Sequence, residues 1–222
     1  YLHPMIKGRD IIPFHAQTDN YIVPFPYEKK SPRVPIEMKR LSVLAPKLAK
    51  YYNDNKSLIL NQTEYNERII GQNNADFYAL ARVGEYSYAK NYVVFRDNTK
   101  WAAAVVGEID TLWGGKKRPL FQNHAVSICE DVNGNYITLD EAHYICGIMN
   151  SSVVYDYMMQ SSDSRSFPIR PRIKIPKFDK TNKKHMRIAE MSKKAHRLFE
   201  DQIAVDKIKN QLSEYYLQIL SE

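Results

Sequence analysis

Three residue patterns in the sequence have the makings of chemistry. The first is acidic. Asp19 with Glu37-Met38-Lys39 has a spacing permitted in nucleases whose carboxylates hold magnesium and orient water. Glu37, however, falls where a helix is expected, and so short a tripeptide recurs by chance. The second pattern is the set of six histidines and two cysteines. No histidine pair stands at a zinc spacing with Cys129 or Cys146, and no nucleophile-elbow pattern surrounds a serine. His143 lies beside an apolar helical stripe, where a histidine more often serves the core than a ligand. The third pattern is cationic, and it is the richest.

The 222 residues carry 32 Lys+Arg against 25 Asp+Glu, a formal net charge of +7. The excess is uneven: net +5 over residues 1–50, −4 over 51–160 and +6 over 161–222. A basic front and back around an acidic middle fits an anionic partner gripped by two separated segments. A solubilising surface is the alternative reading. Lys7 and Arg9 flank Gly8, either as phosphate contacts or as parts of a turn set by Gly8 and Asp10. Lys29, Lys30 and Arg33 lie in a polar connector. Lys116, Lys117 and Arg118 follow Trp113-Gly114-Gly115 on a loop that reads as a phosphate-facing tip. Arg165, Arg170, Arg172, Lys174 and Lys177 line a segment that Pro168, Pro171 and Pro176 keep out of helix. Arginine forked onto guanine is the commonest direct base contact, so Arg165, Arg170 and Arg172 are candidates for base or phosphate contact. The lysines and the other arginines are candidates for phosphate alone. Gln122, Asn123 and Gln160 are candidates for reading adenine.

These side chains need elements to hold them. At 44% hydrophobic and 12% aromatic, the chain has ample material for a core. Residues 1–27 read as short extended pieces, with a strand at Tyr21-Ile22-Val23. Ile36, Leu41, Leu44 and Leu48 fit a helix ending near Tyr52 and broken or kinked at Pro46. A weaker helix is expected over 56–70, ended by Gly71-Gln72-Asn73-Asn74. Strands follow at 77–83, 92–96, 101–106 and 125–128, with Tyr86 and Tyr88 as half-buried strand residues or as groove contacts. Thr138 and Glu141 form a capping box that starts a helix at Leu139. Ala142, Cys146, Met149 and Val153 share one of its faces to about Met159, with Asn150-Ser151-Ser152 interrupting the apolar run. Met191, Leu198, Val205, Leu212 and Ile219 recur every seven residues, which predicts one long helix or a helical pair over 182–221. A continuous helix would reach about 60 Å, and its seam would suit another helix. The expected fold is α+β: a small mixed sheet with packed helices over 1–178, then a helical appendage over 179–222.

The segments named so far resemble, in their order, the C-terminal specificity domain of TaqI-like adenine-specific DNA methyltransferases. The resemblance rests on Ile6-Lys7-Gly8-Arg9-Asp10-Ile11, on Phe77-Tyr78 with Asn91-Tyr92-Val93-Val94, on the run from Asp140 to Ser152, and on Ile173-Lys174-Ile175-Pro176-Lys177-Phe178. The chain departs from the family pattern at Met149, where leucine is usual, and at Lys174, where proline is usual. The same module occurs in fused type II restriction–modification enzymes and resembles the target-recognition domains of type I specificity subunits. The resemblance implies sequence-specific recognition of double-stranded DNA. It further implies an upstream methyltransferase domain in cis that uses S-adenosylmethionine, with or without an attached nuclease. This chain holds no glycine-rich cofactor loop and no Asn/Asp-Pro-Pro-aromatic element, so no cofactor and no catalytic residue is assigned to it. Its opening at Tyr1 rather than at a methionine points to a fragment of a longer protein. The competing expectation is a protein–protein interaction module of a restriction–modification complex, working through residues 182–221 with only non-specific DNA contact. No apolar run approaches the roughly 20 residues of a bilayer span, and the two cysteines read as reduced thiols, which points to the cytoplasm.

Overall fold

A computed structural model of the chain describes residues 1–61, 76–161, 166–168 and 170–221. In chain order the strands are β1 (Leu2–Ile6), β2 (Ile11–Ile12), β3 (His15–Ala16), β4 (Ile22–Pro24), β5 (Tyr27–Glu28), β6 (Ser31–Pro35), β7 (Tyr92–Arg96), β8 (Ala102–Val106), β9 (Ile109–Asp110), β10 (Lys116–Lys117), β11 (Leu120–Phe121) and β12 (Ala125–Ile128). The helices are α1 (Met38–Leu44), α2 (Pro46–Asp54), α3 (Lys56–Leu60), α4 (Leu139–Met149), α5 (Ser152–Ser161), α6 (Lys183–Arg197) and α7 (Gln202–Leu220). The fold is α+β. It divides into two compact units, Tyr1–His3 with Ile22–Ala89 and Pro4–Tyr21 with Lys90–Glu222.

In the first unit, the residues expected to form a polar connector fold as the hairpin β5–β6, turned at Lys29-Lys30. Only two turn residues are needed, and Pro32 and Pro35 are tolerated on a short edge strand. Pro46 divides the expected helix by opening α2 at its first position, where its missing N–H costs nothing. Of the helix expected over 56–70, α3 covers the described part. The rest, with its glycine-asparagine stop, lies outside the described residues. The strand expected over 77–83 is absent. In place of a ladder, Tyr27 Oη accepts from Leu80 N (2.6 Å), and the hydroxyl of buried Tyr78 reaches out of the segment to donate to Ile36 O (2.6 Å) while its ring stacks on Tyr52. Tyr86 and Tyr88 lie in a 3-10 turn rather than a strand, Tyr88 buried and Tyr86 exposed.

The second unit is built on α4 and the antiparallel sheet β12-β7-β8. The capping box forms as expected, with Glu141 N donating to Thr138 Oγ1 (3.2 Å) and Thr138 N to Glu141 Oε2 (3.4 Å). Ala142, Cys146 and Met149 are buried, but the helix stops at Asn150 and α5 restarts at Ser152, so the element expected to reach Met159 is two helices. The carbonyl of Met149 at the break accepts from Trp101 Nε1 (2.7 Å). Strand β8 is the open edge of its sheet, and open edges invite mispairing. Here the Phe14 backbone, whose N–H donates to Ala103 O (2.8 Å), and two side chains cover it. Asn150 accepts from Ala103 N (3.0 Å) and donates to Ala103 O (2.7 Å), while His196 Nε2 accepts from Val105 N (2.9 Å).

The C-terminal residues form a helical pair, not one 60 Å rod. Leu198 ends α6, and Asp201 caps α7 by accepting from Ala204 N (3.0 Å). Met191, Val205, Leu212 and Ile219 are buried in the same cluster as Trp101, Tyr144 and Ile148. The expected boundary near residue 178 is therefore not where the chain divides: α6 and α7 are part of the core of the second unit rather than an appendage to it.

Candidate nucleic-acid interface

The basic segment after α5 is positioned by its own alternation. Pro171, Ile173 and Ile175 are partly buried, and the two isoleucines pack with Phe178 against the core, while Arg170, Arg172, Lys174 and Lys177 are exposed. The backbone is not a regular strand here, since Ile173 N donates to Pro171 O (2.8 Å) in a tight turn centred on Arg172. The segment's described residues form no strand, because the prolines remove ladder donors. Tyrosine hydroxyls tie it down instead: Tyr216 donates to Lys174 O (2.8 Å) and Tyr144 to Pro176 O (3.1 Å). At its start, buried Phe167 donates its N–H to Asp97 O. Arg165 lies outside the described residues. Gln160 is exposed near the end of α5.

Asp97 also anchors a second cluster. Its side chain, almost fully buried, accepts from His124 Nδ1 at 2.9 Å, which turns the half-exposed imidazole outward. The backbone of His124 lies directly on Gly8, where an added Cβ would come within 2.5 Å of His124 O and 3.0 Å of its Cβ. This close approach explains the glycine between Lys7 and Arg9. The two turns are brought together by the parallel pairing of β1 with β11, Met5 opposite Leu120 and Ile6 opposite Phe121, extended by Gln122 N donating to Ile6 O (3.0 Å). Lys7 Nζ stands 3.7 Å over the ring of Tyr21, and the Arg9 guanidinium donates to the Tyr21 hydroxyl. Asp10 holds this turn by accepting from Lys7 N (2.7 Å) and Asn20 Nδ2 (3.0 Å). The turn geometry and the exposed cation of Arg9 thus coexist, so the two expectations for this element are not exclusive. Gln122 donates to the side chain of Asn123, both beside His124. His124 and its partner Asp97 carried no signal in the sequence, because 27 residues separate them.

The other expected contacts are placed as follows. Lys116 and Lys117 form β10, opposite Asp110 and Ile109, so they stand on the strand leaving the hairpin turn and not at its tip. Arg118 follows them, partly buried. Lys29, Lys30 and Arg33 belong to the first unit. They are exposed, and Lys30 pairs with Glu28 at 3.2 Å. Glu37 stands just ahead of α1 in that unit, whereas Asp19 belongs to the second, where it accepts from Gln17.

Buried chemistry-bearing groups also lie in the second unit. His143 Nδ1 stands 3.2 Å from Ser192 Oγ, and its ring meets that of His196 at 4.8 Å. Burial holds the His143 pKa down to about 3 and that of His196 down to about 4. The same cause pushes the Cys146 thiol up to about 12. A thiol so protonated is a poor nucleophile, and an imidazole so buried is a structural acceptor. Among the described residues, no group of three or more His, Cys, Asp or Glu side chains could hold a metal ion, and no helix is long and apolar enough to cross a membrane. No protein-family model matches the chain, and no curated protein matches it in sequence.

Proposed function

We propose that the chain is a double-stranded DNA target-recognition domain of a restriction–modification adenine methyltransferase, acting in the cytoplasm. The observation that carries this reading is the row Arg170, Arg172 and Lys174. Its backbone is tied to the core and all three cations are exposed to solvent. A rigid cationic row suits a phosphate backbone, since fixed donors lose little freedom on binding and release counterions as they neutralise phosphates. The Lys7–Arg9 turn, with outward-facing His124 beside Gln122 and Asn123, adds phosphate donors and base-reading amides at the Asp97 end of the same segment. Lys116, Lys117, Lys29, Lys30 and Arg33 are further phosphate contacts. The order of segments resembling TaqI-like specificity domains supports the same reading. In it, an upstream domain in cis supplies S-adenosylmethionine chemistry, and this chain supplies grip and readout.

The competing interaction module is less well supported. The heptad residues Met191, Val205, Leu212 and Ile219, which it would use, are buried within the chain's own core. Selection from a randomised duplex library, with anisotropy across a salt series, tests the proposal. A short motif should enrich, and Arg170→Ala/Arg172→Ala should cost about tenfold or more in affinity and reduce the log–log salt slope by about 1 to 2. Absence of binding at low salt would remove the DNA reading.

A further inference from the structure

Turn chemistry and burial disagree at the hairpin β9–β10. Its turn is closed by Thr111 N donating to Gly115 O (3.0 Å) and Gly114 N donating to Thr111 O (3.0 Å), with the Thr111 hydroxyl 2.9 Å from Gly114 O. Gly114 and Gly115 have φ of +90° and +77°, the left-handed region that glycine enters freely. Leu112 and Trp113 are left at the two central positions, which turns usually give to Pro, Asp, Asn or Gly. Leu112 is 91% exposed and Trp113 37%. The turn does not need them, and the core does not use them. Burying an apolar side chain is favourable, and at Leu112 the fold itself leaves that gain unrealised. Immediately behind this apolar tip come Lys116, Lys117 and Arg118.

We infer that the hairpin is a wedge. Leu112, backed by Trp113, enters a base step from the minor groove while Lys116 and Lys117 hold the flanking phosphates, so the duplex is unstacked and bent at the site. This rests on the DNA-recognition reading and deepens it, adding deformability of the target to the bases read elsewhere. Charge and size select the occupant. An anionic membrane would also attract the cations, but stable anchoring needs more buried apolar surface than one leucine and a half-exposed tryptophan offer. A single apolar side chain is what one base step accommodates.

The test uses the full 222-residue chain and a duplex with 2-aminopurine scanned through the selected motif. Binding should raise the fluorescence several-fold at one step. Leu112→Ser should abolish that rise and weaken binding roughly tenfold while leaving the salt slope and the melting curve unchanged, because the tip is outside the core. A mismatch at the step, already partly unstacked, should tighten wild-type binding but not that of Leu112→Ser. Equal affinity and equal fluorescence for wild type and Leu112→Ser would overturn the wedge and leave target recognition standing. A wild-type chain that binds no duplex at low salt would overturn both. Leu112-dependent binding to phosphatidylserine vesicles, with DNA stacking unchanged, would assign the tip to a membrane and overturn the wedge.

Discussion

His196 and His124 are two histidines with opposite situations. His196 lies against the sheet edge with both ring nitrogens engaged, Nε2 accepting from Val105 N and Nδ1 donating to Ser192 O at 2.8 Å. His124 has one nitrogen on buried Asp97, and its side chain is 49% exposed. The first completes a strand edge and has no valence left for a ligand. The second is aimed and retains one. Asn150 and Gln122 repeat the contrast among amides: Asn150 is closed within the core by Ala103 and Cys146, whereas Gln122 lies partly exposed beside His124. Residue type says what chemistry is available. Burial and partner count say whether it is already consumed.

The comparison breaks most visibly at Asn150. Asn150→Ala removes a donor and an acceptor from the Ala103 backbone and leaves Ala103 N buried and unpaired. A loss of about 3 kcal/mol or more in unfolding free energy is expected, read from the urea midpoint, with no DNA-specific effect beyond destabilisation. A loss near zero would mean that the β8 edge does not need its amide.

Acid titration sharpens the same contrast. His143 and His196 have folded pKa values of about 3 and 4, below the ordinary 6.5, so the folded state favours their neutral forms. Their stabilisation is fully present above about pH 6.5. As pH falls, the unfolded chain takes up protons first, and stability drops through pH 6 and 5 towards the folded values. Urea midpoints should therefore fall steadily between pH 7 and 4, and His143→Gln should flatten the slope whatever its effect on absolute stability. An unchanged slope would show that the pair does not stay neutral by burial.

The smallest expected effect is at the exposed cluster. Gly8→Ala places a methyl against His124 O at 2.5 Å and forces the two turns apart. The expected cost is about 1–3 kcal/mol in stability, with DNA affinity falling by more than stability explains, since Lys7, Arg9 and His124 lose their common frame. Equal DNA affinity at a temperature where both proteins are fully folded would remove this turn from the interface.

Much of the helical architecture was legible in sequence because its signals are local. The Thr138–Glu141 capping box forms as read, the break expected at Pro46 is there as the start of a new helix, and the apolar stripe holds from Ala142 to Met149 before the helix ends ahead of Val153. The strands at 92–96, 102–106 and 125–128 carried dense apolar and β-branched runs and were equally plain. The apolar run at 77–83 misled, because strand composition is satisfied as well by a buried tyrosine hydroxyl as by a neighbouring strand, and only the distant Tyr27 and Ile36 decide which. For the interface, the cations and the prolines that keep their segment out of helix were visible. The Asp97–His124 pair and the seat of His124 on Gly8 were not.

By itself, then, the sequence determined which stretches are mainly helical, that a capping box starts one at Leu139 and which segments carry the charge, since caps, periodicity and proline act through neighbours a few residues away. Tertiary structure alone decided that Asn150 closes a sheet edge, that the heptad residues of α6 and α7 are buried inside the chain, that His124 faces outward, and that Leu112 is left bare. Those outcomes depend on which surfaces meet across tens of residues, and no local spacing encodes that competition for burial.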